Sequence, residues 1–135
     1  MKKLIITSTE IREEIKKVLN TDFIVITDIN WDELTICELE SFLKKYEPPE
    51  YRKNVFECEE ISMDFLIEKR KHDAKSGKKR NVPIGLLFVN RYRGEPSNHY
   101  LNFCFINGKI YFIEPQNKKY WEASSNAENV IFAFI

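Results

Sequence analysis

The sequence predicts an α+β fold, on three observations. Helix signals fill its first half, apolar strand signals fill its second, and an Asn107-Gly108 pair separates two of the strand runs. Segregation of this kind points to N-terminal helices packed on a small antiparallel sheet. Asn-Gly favours a two-residue hairpin because both positions tolerate positive φ. A length of 135 residues suits a single domain spanning 1–135.

The elements follow in chain order. Thr7-x-x-Glu10 reads as a capping box opening a helix to about Leu19, with Ile11, Ile15 and Val18 on one face. Asp22 to Asp28 (DFIVITD) is rich in β-branched residues and reads as a short strand or extended edge. Trp31 to Tyr46 reads as a helix with Leu34, Leu39, Phe42 and Leu43 on its apolar side, ended by Pro48-Pro49. A further helix is expected from about Glu57 to Lys71, with Cys58 in its first turn. The basic stretch from Lys69 to Arg80 (KRKHDAKSGKKR) reads as a loop. Strands are expected at Val82–Asn90, His99–Ile106, Lys109–Glu114 and Val130–Ile135.

Composition narrows the function classes. Hydrophobic residues make up 43% and aromatics 13%, enough for one core and too apolar for a disordered chain. The 21 basic and 21 acidic side chains cancel, so no global field argues for nucleic acid or an anionic membrane. The basic stretch lacks the interleaved aromatics of a nucleic-acid platform and reads as solvated. A single Gln, four Gly and 31% charged residues match a heat-adapted composition. Cys37, Cys58 and Cys104 show no CxxC spacing, which argues against a structural zinc and a disulfide framework. The apolar N-terminal run is too short for a signal peptide, so a reducing cytoplasm is expected. Cys37 and Cys104 are expected in the core, and His72 in solvent.

The Asn107-Gly108 hairpin makes a geometric statement. It sets Ile106 opposite Lys109, Leu101 opposite Glu114 and His99 opposite Gln116. With a period of two, His99, Leu101, Glu114 and Gln116 share one face while Asn102 points to the other. His99 and Glu114 become diagonal neighbours within side-chain reach, so the register selects Glu114 over Asn102 as the group that orients His99. Cys58, in a helix first turn, meets the positive end of the dipole and unpaired N–H groups, which favour thiolate. Glu57, Glu59 and Glu60 crowd it with opposing charge. A thiol, an imidazole and an orienting carboxylate, in that order, are the parts of a nucleophilic site. Asn54 and Gln116 are both candidates to donate to an oxyanion or to hold substrate.

Three segments carry a resemblance: Phe56-Glu57-Cys58-Glu59-Glu60, His99-Tyr100-Leu101-Asn102 and Ile113-Glu114-Pro115-Gln116. Together, in this order, they resemble the papain-like cysteine peptidase domain at the C-terminus of the fairy-ring mushroom agglutinin, over about residues 45 to 120. The resemblance implies a papain-like fold and a peptidase or amidase acting through a thioester. Cys58 would be the nucleophile, His99 the base and acid, and Glu114 the orienter. It also implies calcium or manganese near Glu59 and Glu60, although glutamates stand where the pattern usually has aspartates. No cofactor is needed for the chemistry itself, and the partner expected is a peptide or protein substrate. The alternative is a catalytically silent papain-like scaffold that binds a protein partner or a metal.

Overall fold

The computed structural model describes residues 5–53, 57–75, 81–123 and 128–135. A six-stranded sheet is built from β2 (Ile24–Val25), β4 (Ile84–Tyr92), β5 (Glu95–Ile106), β6 (Lys109–Glu114), β7 (Lys119–Glu122) and β8 (Asn129–Phe134). Their order across the sheet is β2-β8-β4-β5-β6-β7. β1 (Ile5–Thr7) and β3 (Asn30–Asp32) form a separate antiparallel pair. The helices are α1 (Ser8–Glu14), which continues as a π-helical segment Ile15–Leu19, then α2 (Ile36–Lys45) and α3 (Cys58–Lys75). The class is α+β, as the sequence predicts, but the sheet is mixed because β2 runs parallel to β8.

The period-two pattern of β5 divides the core between the two faces of the sheet. Leu101, Phe103 and Phe105 pack with Ile11, Ile15 and Trp31 on one side. Cys104 and Ile106 pack with Leu39, Phe42, Phe65 and Leu66 on the other. Gly85 of β4 sits where only glycine fits, since a Cβ there would lie 2.1 Å from the Phe134 carbonyl oxygen.

Several local expectations change. Trp31 is a buried residue of β3, not the start of a helix. The helix starts later because Thr35 caps it, its hydroxyl accepting from the Glu38 N–H at 3.1 Å. The same device at Thr7 opens α1, as the sequence indicates. α3 continues through Lys75 and absorbs part of the expected basic loop. Lys69 is 2% exposed and paired with Asp73 at 2.5 Å, one helical turn on. Its Nζ also lies 5.6 Å from the centre of the Phe42 ring. Lys78, Lys79 and Arg80 lie outside the described residues. Cys37 is exposed, a correction to its expected place in the core, because it falls on the outer face of α2. Cys104 is buried, and that burial pushes its thiol pKa up. No helix among the described residues is long and apolar enough to cross a membrane.

Candidate active site

Two hairpins position the site. Asn107 and Gly108 both take positive φ, and Ile106 faces Lys109 as the sequence indicates. Arg93 and Gly94 make a second two-residue turn of the same kind, joining Tyr92 to Glu95. The β5–β6 ladder runs back from the first hairpin only to Asn102↔Ile113. Beyond that pair β5 stays with β4, while Glu114 of β6 pairs with Lys119 of β7. α3 docks against β5 at this opening, where the Ser62 hydroxyl donates to the Tyr100 carbonyl at 3.3 Å. The parting lets Cys58, on a helix against one face of the sheet, approach a histidine whose register faces the other.

His99 and Glu114 meet directly, with His99 Nε2 2.6 Å from Glu114 Oε2. A carboxylate only accepts, so Nε2 carries the proton and Nδ1 is the nitrogen left for the thiol. The Cys58 side chain is near enough to this imidazole to raise its pKa. Burial pushes the His99 pKa down, but the interactions with Cys58 and Glu114 outweigh it, and the value is pushed up to about 9. Their side chains are only 18% and 6% exposed, so solvent screens the His99–Glu114 contact little.

Glu114 receives two further donors. Tyr92 Oη donates to Oε2 at 3.2 Å, and the Gln116 backbone N–H donates to Oε1 at 3.3 Å. The Tyr92 ring also lies against the imidazole, centroid to centroid 4.4 Å. Burial, followed by the adjacent Glu114 charge, pushes the Tyr92 phenol up to about 12, so it stays a donor at neutral pH. Behind it stands Trp121, with the Arg93 guanidinium 4.9 Å over the indole. Reading from sequence missed Tyr92. Simple alternation puts it on the face opposite Val89, but β4 shifts register between Val89 and Arg91 against both neighbouring strands.

The remaining sequence candidates fall in different places. Gln116 lines an open depression of about 430 Å³ together with Tyr92, His99, Glu114 and Asn117. Asn54 lies outside the described residues. Of the three acidic residues around the thiol, Glu57 accepts from the Tyr51 hydroxyl at 3.2 Å, and Glu60 Oε2 accepts from the Glu57 N–H at 3.1 Å as a helix cap. Glu59 alone faces the sulfur, with Cys58 Sγ 3.6 Å from its Oε2. Among the described residues no group of three or more His, Cys, Asp or Glu side chains is placed to hold a metal ion. Calcium takes six to eight oxygen ligands. One carboxylate oxygen of each of Glu59 and Glu60 is engaged within the first turn of α3.

No family model and no curated protein matches this chain. Among solved structures, it is similar to one described as a PSL1a-E64 complex, at a TM-score of 0.77 and 21% identity. The match covers 98% of this chain and 50% of that one, so the sequence spans about half the length of its structural neighbour. At that identity the likeness shows a shared fold.

Proposed function

We propose that this chain is a papain-like cysteine hydrolase that cleaves a peptide or amide bond through a thioester. One observation carries the reading: a single imidazole is held at 2.6 Å by the carboxylate of Glu114 while the Cys58 thiol, in the first turn of α3, lies within reach of it. The neighbour's complex with E64, an inhibitor of cysteine proteases, supports it.

In the proposed reaction the Cys58 sulfur attacks the carbonyl carbon as thiolate, its proton passing to His99. The tetrahedral intermediate collapses as protonated His99 gives that proton to the leaving amine, and a thioester remains. Water then attacks the thioester, again losing a proton to His99, and the acid product leaves with the thiol restored. Glu114 holds the ring in one tautomer and stabilises the imidazolium that forms in each half. Gln116 borders the depression beside His99 and is the described candidate to contact substrate or oxyanion; Asn54 keeps the same candidacy. No step runs through a metal ion. The depression takes an extended peptide segment as its partner.

A second reading, the silent scaffold, is favoured by one contact. The thiol turns toward Glu59 at 3.6 Å, a position that draws its hydrogen away from the imidazole. Labelling separates the two, and the exposed Cys37 supplies an internal standard. With limiting iodoacetamide or E64 from pH 5 to 9, read by peptide mass mapping, Cys58 is expected to react at least about tenfold faster than Cys37 at pH 6, where an ordinary thiol of pKa ≈ 8.5 is almost wholly protonated. Equal rates at both cysteines, rising together toward pH 8.5, would sink the hydrolase reading.

A further inference from the structure

Asn102 is the one residue of the His99-Tyr100-Leu101-Asn102 segment that is both polar and fully buried, at 0% exposure, and the proposed reaction makes no use of it. Its side chain points to the face opposite His99 and spends both amide hydrogens on main-chain carbonyls. Asn102 Nδ2 donates to Ser62 at 2.9 Å and to Gly85 at 3.1 Å. Its Oδ1 is buried and has no hydrogen-bond partner among the described residues. Ser62 is itself 1% exposed, and its hydroxyl donates to the Tyr100 carbonyl at 3.3 Å. A buried amide with one orphaned oxygen is a poor choice for packing alone, since an apolar side chain of similar size would leave nothing unsatisfied on its own account.

The chain positions of these groups say what the bonds connect. Ser62 lies four residues after Cys58, hence one turn along the same side of α3. Tyr100 is the immediate neighbour of His99, and Asn102 sits at the last β5–β6 pair before the strands part. We infer that Ser62 and Asn102 are positioning residues, a buried polar staple that fixes the Cys58-bearing turn of α3 against the His99 segment of β5. Gly85 belongs to the same device from the β4 side, offering its carbonyl to the Asn102 amide. The staple acts through position alone; neither side chain touches the reacting atoms. The inference rests on the hydrolase reading for its catalytic meaning, but its geometric content does not.

The test uses the whole chain and two readouts that a merely structural role would not move: the NMR titration midpoint of His99 and the pH profile of Cys58 labelling by iodoacetamide. Ser62→Ala removes one bond without a volume change that threatens folding. Asn102→Ala is the stronger variant, and Ile61→Val, a trimmed core contact on the same helix, is the comparator. Ser62→Ala is expected to slow Cys58 labelling at pH 6 by about tenfold or more, since small misplacements at a reacting centre are worth up to ~100-fold. It should also lower the His99 midpoint from about 9 toward the ordinary 6.5. Ile61→Val should lower Tm and leave both readouts in place. In a Cys58→Ala background, Ser62→Ala should no longer move His99. If Ser62→Ala costs as much Tm as Ile61→Val but changes neither the midpoint nor the labelling, the staple is only packing and the inference falls. A parent chain with unreactive Cys58 would instead overturn the hydrolase reading, and the His99 midpoints would still decide the staple.

Discussion

The Cys58→Ala chain is expected to lose covalent labelling by E64 outright and to lose peptide hydrolysis by at least about 10⁴-fold, the scale on which nucleophile deletions act when the parts of a site work as a unit. Cys37 would be left to react slowly, and Cys104 is too buried to react at all. Because Cys58 is only partly buried, stability should move by no more than about 1 kcal/mol, so the loss is one of chemistry and not of folding. A second consequence is electrostatic. Burial pulls the His99 pKa down, and the hydrogen-bonding influence of Cys58 stands first among those that raise it, followed by Glu114. Removing the sulfur, and with it the thiolate charge, should therefore lower the His99 midpoint. Labelling that persists at unchanged stoichiometry, or a His99 titration that does not move, would contradict the site.

Glu114→Gln isolates the carboxylate. The amide can still accept from His99 Nε2, so orientation is largely kept, but the negative charge is gone. The His99 pKa, now pushed up to about 9, should fall toward its ordinary value because burial is then less well opposed. Two pH effects follow from the sign. A histidine whose folded pKa is raised contributes stability that is full below its unfolded pKa near 6.5 and is lost as pH rises through about 9. Glu114→Gln should shrink that contribution and with it the Tm difference between pH 6 and pH 10. In the proposed hydrolysis His99 must be protonated to release the amine, so an alkaline limb of kcat/KM is expected near the raised His99 pKa of about 9 and should move down in Glu114→Gln, with a loss of about 10²-fold at pH 8.5. A limb that stays in place would remove Glu114 from the role assigned to it.

Much of this arrangement is legible in the sequence because it depends on local rules. Asn107-Gly108 sets the β5–β6 register, and that register brings His99 and Glu114 to one face. Thr7 and Glu10 mark a helix start in the same local way. What escaped depends on context beyond a few residues. The ladder ends one pair short of Leu101 and Glu114, which parity cannot foresee. Tyr92 reaches His99 through an irregularity in β4, and β7 with the Arg93-Gly94 turn carries weaker signals than Asn-Gly. The end of α3 lies beyond the residues the sequence marks as helical, because a polar, basic run reads as a loop. Lys and Arg are good helix formers, and Lys69 finds its partner on its own helix.

The parting of β5 and β6 bears on the order in which the molecule assembles. His99 and Glu114 are 15 residues apart and are brought together by one hairpin. The bond from Ser62 to Tyr100 closes 38 residues, roughly 0.8 kcal/mol more in loop entropy, and the Thr27–Ile135 contact closes 108. Local closure comes first on such a gradient. The imidazole–carboxylate pair is expected to form with its hairpin, the thiol to arrive when α3 docks, and the β2–β8 edge to join last. On that order a half-refolded chain holds the His99–Glu114 pair before Cys58 reaches it, and the proposed hydrolase would be complete only once helix and sheet are joined. Pulsed alkylation of Cys58 during refolding, set against amide protection in β5 and β6, reads this order directly. Enhanced thiol reactivity that precedes hairpin protection would reverse it.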